Sequence, residues 1–230
     1  MIELPADCAL ILFDCDGTLV DSQHMIVRAM DDAHHANGLP VPSRALTLSI
    51  VGLSLPEAFT VIAQGDPAYP VAVMVEAYRT AFLRLRDSEP PEPMYPLARE
   101  TLDLLRGRDD LVLGMVTGKA RRGVARVLAA HAMEGWFSTI QTADDAPSKP
   151  HPAMVQQAMS EIGIAPGRTV VVGDTTYDVE MAKAAGAWAI GVDWGYHDSQ
   201  LLVQAGADLL VERFDQVPEA IAVLLARVPA

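Results

Sequence analysis

The chain has 230 residues, half of them hydrophobic, which is enough for a true core and points to a main domain with a smaller companion. Its formal net charge of -13 and pI near 4.7 argue against non-specific nucleic-acid binding and against attraction to anionic membranes, both of which need a basic surface. An anionic substrate would need a bound cation or a few placed basic groups.

The opening segment Met1-Ile2-Glu3-Leu4-Pro5-Ala6-Asp7 is acidic and lacks the basic region and long apolar stretch of a signal peptide. No apolar run reaches membrane-spanning length. Cys8 and Cys15 would stand roughly 23 Å apart on an extended strand, beyond bridging distance. Two such cysteines fit a reducing cytoplasm, the expected location.

The apolar run Ala9-Leu10-Ile11-Leu12-Phe13 predicts a buried strand over Ala9 to Asp14. Asp14-Cys15-Asp16-Gly17-Thr18 follows directly. Residues i and i+2 of a strand share a face, and open parallel sheets receive ligands beyond the carboxyl ends of their strands. The same residues also read as a simple turn with Gly17 at positive φ. A strand covered on both faces seldom ends in two carboxylates without a cation or substrate, and this favours a site.

From Asp21 to about Asp87 the pattern is helical throughout. Ser54 and Glu57 form a capping-box pair ahead of Ala58 and Phe59. Val71, Met74, Val75, Tyr78, Phe82 and Leu85 fall at helical spacing on one face, which reads as packing. The segment is bracketed by Thr18 to Ser22 and by Pro90, Pro91, Pro93 and Pro96, so two stiff linkers lying close together would let it rock as a lid. Beyond it, strands are expected at Leu111 to Thr117, Ser138 to Gln141, Thr169 to Gly173, Trp188 to Val192 and Asp208 to Val211. With the first strand they imply an α/β core, a parallel sheet wrapped by helices.

Thr117-Gly118 closes one of these strands, and a hydroxyl with exposed N–H groups at a strand-to-helix turn can hold phosphate oxygens; the plain alternative is a helix cap. Gly118-Lys119 imitates a Walker A ending, but Gly114 is one residue too close and Ala120 stands where Ser or Thr is needed. Lys149 is one of three lysines, and Pro150 keeps it out of a helix. On its own it reads as a solvated charge. Asp174 repeats the strand-then-carboxylate arrangement of Asp14, while Asp178 also forms a capping-box pair with Thr175. Together, three acids at strand ends suit a hard divalent cation, and a hydroxyl, N–H groups and a lysine suit a phosphoryl group. Asp31, Asp32, His34 and His35 read as a solvated helix face, and His24 as a scattered histidine. Arg44, Arg79, Arg84 and Arg86 supply the positive charge of the helical segment, and a substrate carboxylate would meet one of them.

Asp14-x-Asp16-Gly17-Thr18, Thr117, Lys149, and Gly173-Asp174 with Asp178 resemble, in order and spacing, the four motifs of the haloacid dehalogenase superfamily. The likeness spans nearly the whole chain and is nearest to phosphoglycolate-phosphatase-like members with a small helical cap. It implies a Rossmann-like doubly wound core over residues 1–18 and 95–230, with an inserted all-helical cap over 19–94. It further implies Asp14 as nucleophile, Asp16 as general acid and base, and Mg²⁺ held by Asp14, the Asp16 backbone carbonyl and Asp174. Thr117, the Gly118 N–H and Lys149 would bind phosphate, and Asp178 would steady Lys149 or the metal ligands.

The acid at Asp16 departs from the metal-free dehalogenases. The first lysine being Lys119 departs from the Schiff-base hydrolases, which carry theirs in the cap. The expected activity is Mg²⁺-dependent hydrolysis of a small phosphorylated metabolite, phosphoglycolate being the nearest-family choice. A phosphomutase is the alternative, disfavoured by the apolar flanks of Gly52, and a non-enzymatic binding module is the third reading. Oligomeric state is not legible.

Overall fold

Strand β1, Ala9–Phe13, has both faces covered, and its side chains alternate between two cores. Ile11 and Phe13 join Met115, Val172 and Ile190 on one side. Leu10 and Leu12 join Met154, Val155 and Val171 on the other. This computed structural model describes residues 8–227, so the expectation for Met1–Asp7 lies outside the described residues.

Four helices follow: α1 (Gln23–Ala36), α2 (Arg44–Ser49), α3 (Leu55–Ile62) and α4 (Val71–Ser88). They share an apolar cluster of their own in which Met25, Ala29 and Met30 of α1 and Phe59 of α3 meet Met74, Tyr78, Ala81 and Leu85 of α4. The expected α4 face is therefore the packed one, with Val71 and Phe82 at its margin. Ser54 does stand at the N-cap of α3, but its side chain makes no capping bond; its backbone N–H instead donates to Ser148 Oγ at 2.8 Å. His34 is no solvated residue either. It is fully buried, with Nδ1 2.8 Å from the Met30 carbonyl and Nε2 2.9 Å from the Tyr69 hydroxyl.

The remainder alternates helix and strand: α5 (Ala98–Arg106), β2 (Leu111–Thr117), α6 (Arg121–Ala130), β3 (Thr139–Thr142), α7 (Ala153–Ile162), β4 (Thr169–Gly173), α8 (Thr176–Ala184), β5 (Trp188–Val192), α9 (Ser199–Ala205), β6 (Leu209–Val211) and α10 (Val217–Leu225). All pairings are parallel, in the order β3-β2-β1-β4-β5-β6. The order reverses between β1 and β4, the switch point at which doubly wound sheets bind ligands. Strand boundaries differ from the expected ones by a residue at β1, β3 and β6.

The segments entering and leaving the four helices lie side by side. Val20 bridges Met94 in antiparallel fashion, Asp21 N–H donates to the Pro93 carbonyl at 2.8 Å and Tyr95 N–H to the Leu19 carbonyl at 3.0 Å. No disulfide joins Cys8 and Cys15, both buried. Among the described residues, no helix is long and apolar enough to cross a membrane.

Candidate active site

Asp14 is the first residue past β1, and its backbone N–H still reaches the Val172 carbonyl at 3.0 Å, which fixes it between the ends of β1 and β4. Its side chain is 1% exposed. Lys149 Nζ, from the loop between β3 and α7, lies 2.9 Å from Asp14 Oδ1 and donates to Asp178 Oδ1 at 2.5 Å. The Lys149 ammonium is an ion-pair partner for Oδ1, and apart from it both buried Asp14 carboxylate oxygens have no other partner among the described residues. That is costly unless a ligand completes them.

Asp174, just beyond β4, accepts from Thr18 Oγ1 at 2.8 Å and from the Tyr196 N–H at 2.9 Å. Its close approach to the turn after Asp16 requires Gly17, which has φ +84° and whose Cβ, if present, would fall 2.2 Å from Asp174 Oδ2. Asp178 does what both readings of it asked: in the first turn of α8 it forms the capping box with Thr175, and its other oxygen meets Lys149. Oxygens of Asp14, Asp174 and Asp178 lie within 4.8 Å of one another.

The electrostatics follow from burial. Desolvation pushes the Asp14 carboxyl up to about 7 against the pull of Lys149, with Asp178 adding to the rise. Burial and then the charges of Asp178 and Asp14 raise Asp174 well above the usual carboxylate range. Burial works to lower Lys149, but Asp14 and Asp178 outweigh it and hold the ammonium charged. Three buried acids thus crowd together while only Asp14 and Asp178 pair with the Lys149 ammonium. An all-oxygen donor set with under-compensated negative charge and a buried Asp14 Oδ2 that has no partner fits a hard divalent cation.

Asp16 takes a different direction from the triad. Its Oδ1 accepts from Lys119 Nζ at 2.7 Å, and Lys119 also stands 3.7 Å from Glu92 Oε1. Asp14, Asp16, Thr117 and Gly118 nevertheless line one pocket of about 630 Å³ between the helical segment and the sheet. Thr117, last residue of β2, is buried, and its Oγ1 accepts from the Lys119 N–H at 3.2 Å. Of the arginines considered, Arg79 and Arg86 line this pocket and pair with Glu76 and Asp87; Arg44 bonds Gln23 at the surface. His24 is exposed.

The residues sequence reasoning missed are Lys119 and Glu92. Lys119 carried a usable signal, adjacency to Thr117-Gly118 in a chain with three lysines; Glu92 sits among prolines and gave none.

A family model for haloacid dehalogenase-like hydrolases matches residues 11–192. The chain belongs to that family. Among curated relatives, the protein named "Probable phosphatase IndB" from Dickeya dadantii is 35% identical over 94% of each chain. Pyrophosphatase PpaX of Bacillus pumilus is 32% identical over 90% of this chain and 93% of its own. Phosphoglycolate phosphatase of Salmonella typhi is 28% identical over 92% and 91%. Among solved structures, a predicted phosphatase from Clostridium acetobutylicum aligns at TM-score 0.83 with 24% identity, over 96% of this chain and all of that one. A Bacteroides vulgatus protein assigned as a beta-phosphoglucomutase aligns at 0.81 with 23% identity, over 96% and 91%. At these identities the two structures establish the fold alone.

Proposed function

We propose that this hydrolase is a Mg²⁺-dependent phosphomonoesterase that works through an aspartyl-phosphate on Asp14, with helices α1–α4 acting as a cap over the α/β core. The observation that carries the reading is the buried Asp14 carboxylate, paired with Lys149 alone and set beside the acids Asp174 and Asp178 at the switch point of the sheet. The relatives named as phosphatases support the same chemistry.

In this reading an Asp14 oxygen attacks phosphorus and the substrate alkoxide leaves with a proton from Asp16. Asp16 then takes a proton from water, whose oxygen displaces Asp14 from phosphorus. Asp16 suits this work because it lines the pocket and, among the described residues, only Oδ1 is engaged, by Lys119. Thr117 Oγ1, the Gly118 N–H and Lys149 bind the transferring oxygens and offset the charge that grows on them. Asp178 orients Lys149, and its hydrogen bonds from Thr175 fix its own position. Asp14, the Asp16 backbone carbonyl and Asp174 would hold Mg²⁺, which lowers the repulsion between a carboxylate and an anionic phosphate.

The test is release of inorganic phosphate from small phosphomonoesters, phosphoglycolate first, with Mg²⁺ and with EDTA. Chelation abolishes release, and Asp14→Asn is inactive. An unimpaired Asp14→Asn protein rules out the covalent route. A mutase would instead return labelled phosphate to product with little set free.

A further inference from the structure

The pocket above Asp14 is far larger than a two-carbon acid phosphate needs. Its volume of about 630 Å³ falls within the roughly 300–1,000 Å³ of sites that enclose drug-sized ligands. Its walls are largely carbon: Met30 from α1, Val51 and Leu53 from the loop before α3, Phe82 and Leu83 from α4, and Ala146 from the core.

The backbone of the loop before α3 closes on the Thr117-Gly118 turn. A Cβ on Gly118 would lie 2.4 Å from the Gly52 carbonyl oxygen, so Val51-Gly52-Leu53 presses directly on the Thr117-Gly118 turn. Beyond that backbone contact, Val51, Leu53 and Phe82 line the pocket. A carboxylate set against those apolar side chains would lose water without gaining a partner. Of the cations that line the pocket, Arg79 pairs with Glu76 and Arg86 with Asp87. Lys119 is committed to Asp16 and Glu92, whereas Arg122 and Arg126, on α6, pair with no carboxylate among the described residues. They give an acidic protein a local field that draws in an anionic ester.

Resting on the phosphomonoesterase reading, we propose that the preferred substrate is the phosphomonoester of a bulky, largely apolar alcohol, seated with its carbon body between Val51, Leu53 and Phe82. Burying that body against these side chains supplies the binding energy.

Phenethyl phosphate and phosphoglycolate compare the two classes while both keep an alkyl alcohol as leaving group. With Mg²⁺ present, kcat/KM for phenethyl phosphate exceeds that for phosphoglycolate by at least about tenfold. Phe82→Ala shrinks that ratio by about tenfold, through KM for the aromatic ester. A higher kcat/KM for phosphoglycolate, or a ratio that Phe82→Ala leaves unmoved, overturns this inference and leaves the phosphatase reading intact. Release from neither ester, nor from a broader set of phosphomonoesters, overturns the phosphatase reading and this inference with it.

Discussion

Lys119 Nζ lies 2.7 Å from Asp16 Oδ1, so the carboxylate assigned to proton transfer is held by an ammonium two residues beyond Thr117. Lys119 also stands 3.7 Å from Glu92 and 5.6 Å from the Phe82 ring centre. Its charge is secure: burial opposes it, yet Asp16 and Glu92 outweigh the cost and raise its pKa. The lysine thereby ties the Thr117-Gly118 turn, the exit linker and α4 to one carboxylate. Lys119→Met should lower kcat about a hundredfold, the scale of a small misplacement of a reacting group, with KM changed much less. It should also destabilise the fold by about 3 kcal/mol, because two enclosed carboxylates lose their counter-charge. Steady-state kinetics and urea unfolding read the two effects separately, and an unchanged kcat would remove Lys119 from the positioning of Asp16.

A second contact between the helical segment and the core is set to respond to pH. His197 Nδ1 accepts from the Thr176 N–H at 3.1 Å, a bond that requires the neutral ring, and this leaves Nε2 to donate to the Ser49 carbonyl at 3.1 Å. Burial lowers its pKa, against the opposing pulls of Ser49, Asp178 and Glu180. With the folded value depressed, the unfolded chain binds the extra proton first. The contribution is therefore complete above the ordinary histidine value of about 6.5 and is lost as pH falls through the folded one. Melting temperature followed downward from neutral pH should drop less steeply in His197→Gln than in the parent; identical slopes refute the linkage.

Much of this arrangement is written in the sequence where burial is two-sided. β1, β2, β4 and β5 are unbroken apolar runs because both faces are covered, so strand identity and the acids after β1 and β4 could be read together. β3 is polar and at the sheet edge, and β6 is short, so their ends shifted. The Ser54 box failed where the Thr175 box formed because Ser54 is claimed through its backbone by Ser148, 94 residues away. Local patterns do not register such a competitor. His34 and Lys119 were missed for the same reason: their partners, Tyr69 and Asp16 with Glu92, are distant in sequence and meet them only on folding. Asp178 was ambiguous because its two oxygens serve two tasks.

Gly118 marks how closely the helical segment sits on the core. Because a methyl group there would come within 2.4 Å of the Gly52 carbonyl oxygen, Gly118→Ala must push the Gly52 loop outward. The expected outcome is a rise in KM and a fall in kcat/KM of about 10–100-fold, since the pocket is shared between that loop and Asp14. Core stability should hold, because the new atom faces the pocket side and leaves the pairing of β1 with β2 untouched. Unchanged kinetics would show that catalysis does not need this contact.

The acids around Asp14 make stability itself a reporter of the metal. Asp14 and Asp178 pair with Lys149 while Asp174 stands beside them without it, and burial raises Asp14 and Asp174 because their charges are poorly compensated. A divalent cation binding only the folded state adds RT ln(1 + [L]/Kd), about 2.7 kcal/mol at a hundredfold excess over Kd. For a chain of this length that amounts to about 5–10 °C in Tm. Asp174→Ala should lose most of the increment, whatever the loss of its bonds from Thr18 and Tyr196 does to the metal-free melting temperature. Differential scanning calorimetry with Mg²⁺ and with EDTA gives the comparison. A parent protein whose Tm ignores Mg²⁺ would show that these carboxylates do not hold the ion.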